Sequence, residues 1–103
     1  MNRLEYMEQR VREHPEDTFA RYALGMEYAG AGRLEDASRV YGELRRDAPG
    51  YLPTYYQLGK ALEQLGRAGE ARDAYTQGIG VARAAGNQKT ANELTEALEN
   101  TGP

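Results

Sequence analysis

The sequence predicts an all-α protein of about six helices, arranged as helix-turn-helix units that stack into a short solenoid. Three observations lead there. Within each unit the apolar residues recur at steps of three and four, the stripe of an amphipathic helix. The 103-residue chain also aligns with itself at an offset of 34, pairing Tyr22 with Tyr56, Leu24 with Leu58, Gly25 with Gly59 and Gly32 with Gly66; Arg33 with Arg67, Ala37 with Ala71 and Tyr41 with Tyr75 continue the register. Finally, no segment sustains the alternation with β-branched residues that marks strands.

The elements follow in order. The register extends backward from Pro49 to Pro15 and from Tyr41 to Met7, so the N-terminal segment reads as the second half of an earlier, truncated repeat. It is a capping helix over 1–14, with Leu4, Met7 and Val11 inward and Arg3, Glu8, Arg10 and Arg12 largely outward. The next helix runs from about Asp17 to Gly30, with Asp17 as N-cap and Pro15 just outside. Its partner follows Gly32 and runs from about Leu34 to Arg46, where Pro49 and Gly50 end it. Leu52, Tyr55, Leu58, Leu62 and Leu65 mark a fourth helix, with Pro53 in the first turn, where a missing N–H costs nothing, and Gly66 as its stop. A fifth runs from Ala68 to Ala85. Gly86 and Asn87 read as a stop and a new N-cap opening a last helix to about Asn100. The expected organisation is one domain over 1–103, with repeats at 18–51 and 52–85 between capping helices at 1–14 and 87–100.

Recurrence of Gly25 with Gly59 and of Ala37 with Ala71 predicts close approach of the two helices in each unit. Leu24, Tyr28, Tyr41, Leu44, Leu58, Leu62, Tyr75 and Ile79 then fill the spaces between helices. A solenoid unit cannot bury its apolar face alone, and roughly three repeats are needed for stability; six helices supply the equivalent. The last helix turns Ala91, Leu94 and Leu98 inward and leaves Lys89, Asn92, Glu93, Glu96 and Glu99 in water, the polar outer face an end cap requires.

Composition narrows the function. Thirteen basic against sixteen acidic residues give a net charge of −3, which argues against nucleic acid and against a polybasic membrane patch. Cysteine is absent, so there is no disulfide framework, thiolate zinc site or iron–sulfur cluster. The charged N-terminal dozen residues do not resemble a signal peptide, and no stretch approaches the roughly 20 apolar residues of a membrane span. A soluble cytoplasmic protein is expected. Catalysis lacks its parts: His14 precedes Pro15 at a helix end, and Ser38 sits far from it. The acid pairs Glu16–Asp17 and Glu35–Asp36 lie at helix starts, where carboxylates are favoured by unpaired N–H groups and the helix dipole. Acids interleaved with arginines predict no metal site, and the glycines form no phosphate loop, so neither enzyme activity nor a cofactor is expected.

Leu24-Gly25-x-x-Tyr28, then Ala37, Tyr41 and Pro49, and again Leu58-Gly59-x-x-Leu62, Ala71 and Tyr75, resemble the tetratricopeptide repeat, a 34-residue helix-turn-helix. The resemblance covers Thr18 to about Ala85. Arg21 and Tyr55 stand where the family favours tryptophan, Gly78 replaces a usual alanine and Arg83 a closing proline, which lets the fifth helix run on to Gly86. With only its stem to contribute, Arg21 predicts looser packing of the first unit. The resemblance implies a right-handed solenoid whose first helix in each unit lines a concave groove for a peptide or protein segment. Carried over by position, that groove comprises Phe19, Tyr22, Ala23 and Met26, then Tyr56, Gln57, Lys60 and Gln64, with Thr90 and Leu94 extending it. The Phe19, Tyr22 and Met26 stripe reads equally as groove or interhelical core. Tyr22 and Met26 stand where the clamp for acidic C-terminal tails needs lysine and asparagine, so that ligand is disfavoured and Lys60 alone is left to pair a carboxylate. Two functions follow: an interaction module with a protein or peptide partner, or a homodimer in which the groove is filled by a second copy.

Overall fold

The computed structural model describes residues 1–102. Six helices and no strand occur among the described residues: α1 (Arg3–Glu13), α2 (Thr18–Gly30), α3 (Leu34–Asp47), α4 (Pro53–Gln64), α5 (Ala68–Ala84) and α6 (Gln88–Asn100). The ends differ from the sequence expectation by a residue or so, the usual fraying margin: α3 reaches Asp47, α5 stops at Ala84, and Leu65 is the residue that caps α4.

Side chains chosen by the sequence start and stop these helices. The side chains of Asn2, Asp17 and Asn87 accept hydrogen bonds from the backbone N–H of Glu5, Ala20 and Thr90 at 2.8, 3.0 and 3.0 Å, satisfying donors that the first helical turn leaves unpaired. The Ala20 N–H, aided by the Arg10 guanidinium, holds the Asp17 carboxyl below the usual carboxylate range. Helices α2, α4 and α5 end in one recurring turn. Gly32, Gly66 and Gly86 take φ of 76°, 79° and 73°, a left-handed conformation in which a Cβ would be strained. The N–H of the following residue then reaches back to the carbonyl of Tyr28, Leu62 or Ala82 at 2.9, 2.8 and 2.8 Å, closing the helix end.

These tight turns fold α3, α5 and α6 back on their predecessors, and packing runs chiefly between sequence neighbours. Helices α2, α4 and α6 also touch one another and form one side of the stack, with α3 and α5 behind them. The molecule measures 40 × 29 × 19 Å. Among the described residues no helix is long and apolar enough to cross a membrane.

Every residue expected to fill the interhelical spaces is buried, from Leu24 and Tyr28 to Tyr75 and Ile79. At the two recurring glycines the close contact between the helices is made by an aromatic ring. A Cβ on Gly25 would lie 2.3 Å from the ring of Tyr41, and one on Gly59 would lie 2.2 Å from the ring of Tyr75. The glycines are slots for aromatic rings of the partner helix. Gly78 reverses the arrangement, since a Cβ there would meet Tyr55 of α4 at 2.6 Å and Leu94 of α6 at 2.9 Å. Tyr41, Tyr55 and Tyr75 are completely buried in consequence.

The two equivalent tyrosines differ at their hydroxyls. Tyr75 donates to the carboxylate of Glu63, whereas Tyr41 is buried without a hydrogen-bond partner among the described residues. Ala29 stands at the repeat position of Glu63. Burial raises both phenol pKa values, and for Tyr75 the Glu63 carboxylate adds to the rise. Tyr75→Phe is therefore expected to cost about 1–2 kcal/mol, while Tyr41→Phe removes an unsatisfied group and is expected to be neutral or stabilising by up to about 1 kcal/mol. Urea denaturation of both variants checks this; equal losses would contradict it.

Two polar residues are used more fully than the sequence suggests. The Arg21 side chain is 17% exposed and its guanidinium meets Asp47 at 2.8 Å, tying the start of α2 to the end of α3 where the family favours a tryptophan. Arg46 and Arg21 together lower the Asp47 carboxyl pKa to about 2. Glu8, expected outward, is half-buried and accepts a 2.6 Å hydrogen bond from the Tyr28 hydroxyl, fastening α1 to α2.

Candidate binding groove

The side of the stack formed by α2, α4 and α6 carries apolar side chains that the core does not claim. Phe19 is 69%, Met26 42% and Tyr56 40% exposed, so two members of the stripe that read equally as groove or core face solvent. The third, Tyr22, is half-buried: its ring lies 6.1 Å from that of Tyr41 beneath it and 5.7 Å, edge-on, from that of Tyr51. Burial raises the Tyr22 phenol pKa.

Three hollows lie along this side. The largest, about 510 Å³, is walled by Tyr22, Tyr51, Leu52, Pro53 and Tyr56, with Gln57, Thr90 and Glu93 among its polar contributors. A second of about 320 Å³ separates α2 from α4 between Met26, Ala29, Gln57, Lys60, Ala61 and Gln64. A third of about 270 Å³ separates α4 from α6 between Tyr56, Lys60, Glu93, Glu96, Ala97 and Asn100. The structure thus brings Tyr22, Met26, Tyr56, Gln57, Lys60 and Gln64 to one surface. Phe19 is exposed and lines none of these hollows. The Lys60 ammonium sits 5.7 Å from the Tyr56 ring centroid, a cation–π distance, and 3.8 Å from the Glu63 carboxylate.

On α6 Thr90 and Leu94 both line the largest hollow as expected, Leu94 with most of its side chain packed in the core, but Glu93 and Glu96 also reach these hollows, which the 34-residue register did not predict. The reason is a change of register. Gln57, Lys60, Ala61 and Gln64 face α2, and Glu93, Glu96, Ala97 and Asn100 face α4 with the same spacing, 36 residues on instead of 34. Helix α5 has 17 residues against 14 in α3, and the loop after it is two residues shorter. Leu94 therefore repeats the core residue Leu58, while Glu93 and Glu96 repeat Gln57 and Lys60. Sequence reasoning left both glutamates simply in water and missed Tyr51, a loop aromatic outside the helical stripe. The departure at Arg83 from the family's closing proline was the available signal that α5 runs on.

No group of three or more His, Cys, Asp or Glu residues able to hold a metal occurs among the described residues. His14 caps α1, with Nδ1 3.6 Å from Glu16, away from the groove. What the groove offers is contact area: aromatic and thioether surface to bury, beside amide, ammonium and carboxylate groups to orient a ligand.

Comparison with known proteins agrees with the fold. The tetratricopeptide repeat family model matches residues 52–84. The solution structure of a tetratricopeptide repeat domain protein from Salinibacter ruber is 44% identical, covers 84% of this chain and 88% of its own, and superposes with a TM-score of 0.80. The chain belongs to the tetratricopeptide repeat family. A second tetratricopeptide repeat structure from Salinibacter ruber, a crystal structure, is 42% identical over 82% of this chain and 94% of its own, with a TM-score of 0.77. A tetratricopeptide repeat-containing protein of Pseudomonas aeruginosa is 28% identical over 95 residues, 92% of this chain and 90% of that protein. Tetratricopeptide repeat proteins are in general protein–protein interaction scaffolds without catalytic activity, and this chain has that fold.

Proposed function

We propose that this tetratricopeptide repeat protein binds a peptide or protein segment along the α2–α4–α6 groove, acting without catalysis and without a cofactor. The observation that carries the reading is the exposure of Phe19, Met26 and Tyr56 on that side, next to an aromatic hollow of about 510 Å³. Large apolar side chains left in water and rimmed by polar groups mark interaction surfaces, and the hollow falls within the roughly 300–1,000 Å³ of ligand pockets. Phe19, Tyr22, Met26, Tyr56, Gln57, Lys60 and Gln64 form the proposed contact set, and helices α1 and α6 close the ends of the repeat array. The cysteine-free composition suits a cytoplasmic setting.

The test is the double change Tyr56→Ala with Lys60→Glu, which removes an exposed aromatic anchor and reverses its neighbouring charge. Capture of the native partner should weaken at least about tenfold, a loss of 1.4 kcal/mol. Thermal stability should barely move, because both side chains are exposed. Full binding by the folded double variant would exclude this face.

Phe19, at 69% exposure the most exposed large apolar side chain within the helices, supports a second reading, a homodimer in which another copy covers the apolar end of the groove. Sedimentation across a concentration series separates the two, since a strictly monomeric wild type removes the homodimer.

A further inference from the structure

The same position on successive groove helices carries Met26 on α2, Lys60 on α4 and Glu96 on α6, and the neighbouring position carries Ala23, Gln57 and Glu93. The groove therefore changes from apolar to acidic along its length. Its one cation, Lys60, is already engaged by Glu63 at 3.8 Å and by the face of Tyr56. Neither Glu93 nor Glu96 has a basic partner within ion-pair distance among the described residues, although acids elsewhere are commonly paired: Asp17 with Arg10, Glu35 with Arg67, Asp36 with Arg33 and Asp47 with Arg21. Both glutamates are exposed, and Glu93 borders the aromatic hollow walled by Tyr51 and Tyr56 as well as the hollow it shares with Glu96 and Lys60.

Two unpaired carboxylates beside an aromatic hollow complement a side chain that is both apolar and cationic, or two adjacent side chains that divide those properties. An arginine or lysine can lay its stem or plane on Tyr56 while its charge meets the carboxylates, and an apolar neighbour fills the hollow. We propose that the segment bound in this groove is basic: an apolar anchor residue occupies the Tyr22–Tyr51–Tyr56 hollow and an adjacent arginine or lysine pairs with Glu93 and Glu96. This rests on the groove reading above and adds the chemistry of the partner. It runs opposite to recognition of acidic tails, for which the groove offers only Lys60.

The probe is a library of random twelve-residue peptides selected on immobilised full-length protein, followed by affinity measurement of synthetic copies of the winners. Selected sequences should be enriched in arginine or lysine next to an aromatic or aliphatic residue. Their binding should weaken at least tenfold in the Glu93→Lys, Glu96→Lys variant and weaken less in the Glu93→Gln, Glu96→Gln variant. Raising salt from about 50 to about 300 mM should weaken binding to the wild type, as screened charge pairs do. Because both positions are exposed, an unchanged circular dichroism melt is expected and separates loss of binding from loss of fold. Peptides that require Tyr56 but lack basic residues and ignore the charge reversal overturn the basic-partner inference and leave groove binding standing. Peptides indifferent to both Tyr56→Ala and the charge reversal, or no peptides at all, overturn both. A wild-type dimer dissociated by the charge reversal makes a second copy the occupant and overturns the peptide assignment.

Discussion

A chain ending at Gly86 is expected to unfold or aggregate near room temperature. Helix α6 looks expendable from its outer face, where Lys89, Asn92, Glu93, Glu96 and Glu99 are exposed. Its inner face is not. Ala91 is fully buried, Leu94 is 1% exposed and meets the slot at Gly78, and Leu98 packs against the same cluster. Deleting the helix uncovers Tyr55, Gly78 and Ala82 and removes two leucines worth about 1.5–3 kcal/mol each when fully buried. The Asn87 cap is lost with them. A domain of this size holds roughly 5–15 kcal/mol in total, and the five remaining helices, two pairs and the single α1, fall below the roughly three repeats a solenoid needs. Circular dichroism melting of the truncated protein is the measurement. A soluble product with a cooperative melt would make α6 an appendage.

Gly59→Leu is the second large effect. Even the first carbon of any side chain there would sit 2.2 Å from the Tyr75 ring, a separation no packed pair of carbons sustains. The ring cannot simply step aside, because Tyr75 is completely buried and its hydroxyl is held by Glu63. Overpacked cores lose about 1–3 kcal/mol and occasionally more, and displacing this ring puts the substitution at or beyond the top of that range. Gly59→Ala isolates the clash from bulk. An alanine should gain up to about 1 kcal/mol in helix propensity, so a net loss on urea denaturation shows that the Cβ meets the ring. Gly80, on the next helix, has no atom within 4 Å of a Cβ, and Gly80→Ala should stabilise. Unchanged melting of Gly59→Leu would remove Tyr75 from the slot.

The fold was legible because its determinants are local and repeated. The 34-residue offset, the stop glycines and the capping residues Asp17 and Asn87 each act within a few residues of where they stand, so they can be read without knowing what packs where. Gly25 and Gly59 show the limit: their recurrence announced a tight contact, but only the assembled stack reveals a tyrosine ring in each slot, with Gly78 turned the other way to receive Tyr55. That Tyr22, Met26, Tyr56, Gln57, Lys60 and Gln64 share one face was legible on α2 and α4, where the register held. On α6 the register moves by two, which brings Glu93 and Glu96 to the face beside the expected Thr90 and Leu94. A rotation of that size follows from where one helix ends, and helix ends are the part of a sequence pattern that fixes position least. Glu8 and Arg21 make the same point for polar residues, since their partners Tyr28 and Asp47 are 20 and 26 residues away.

Where a bound segment sits is the most direct question to put to this groove. Amide and side-chain chemical shifts of the isotope-labelled protein, followed as an unlabelled selected peptide is added, report the answer residue by residue. The proposed mode of binding predicts saturable shifts at Met26 on α2, Tyr56, Gln57 and Lys60 on α4, Glu93 and Glu96 on α6, and Tyr22 and Tyr51 at the aromatic hollow, with α3 and α5 unmoved on their outer faces. Shifts centred instead on Ser38, Arg39 and Arg45 of α3 and on Asp73 of α5 would contradict it.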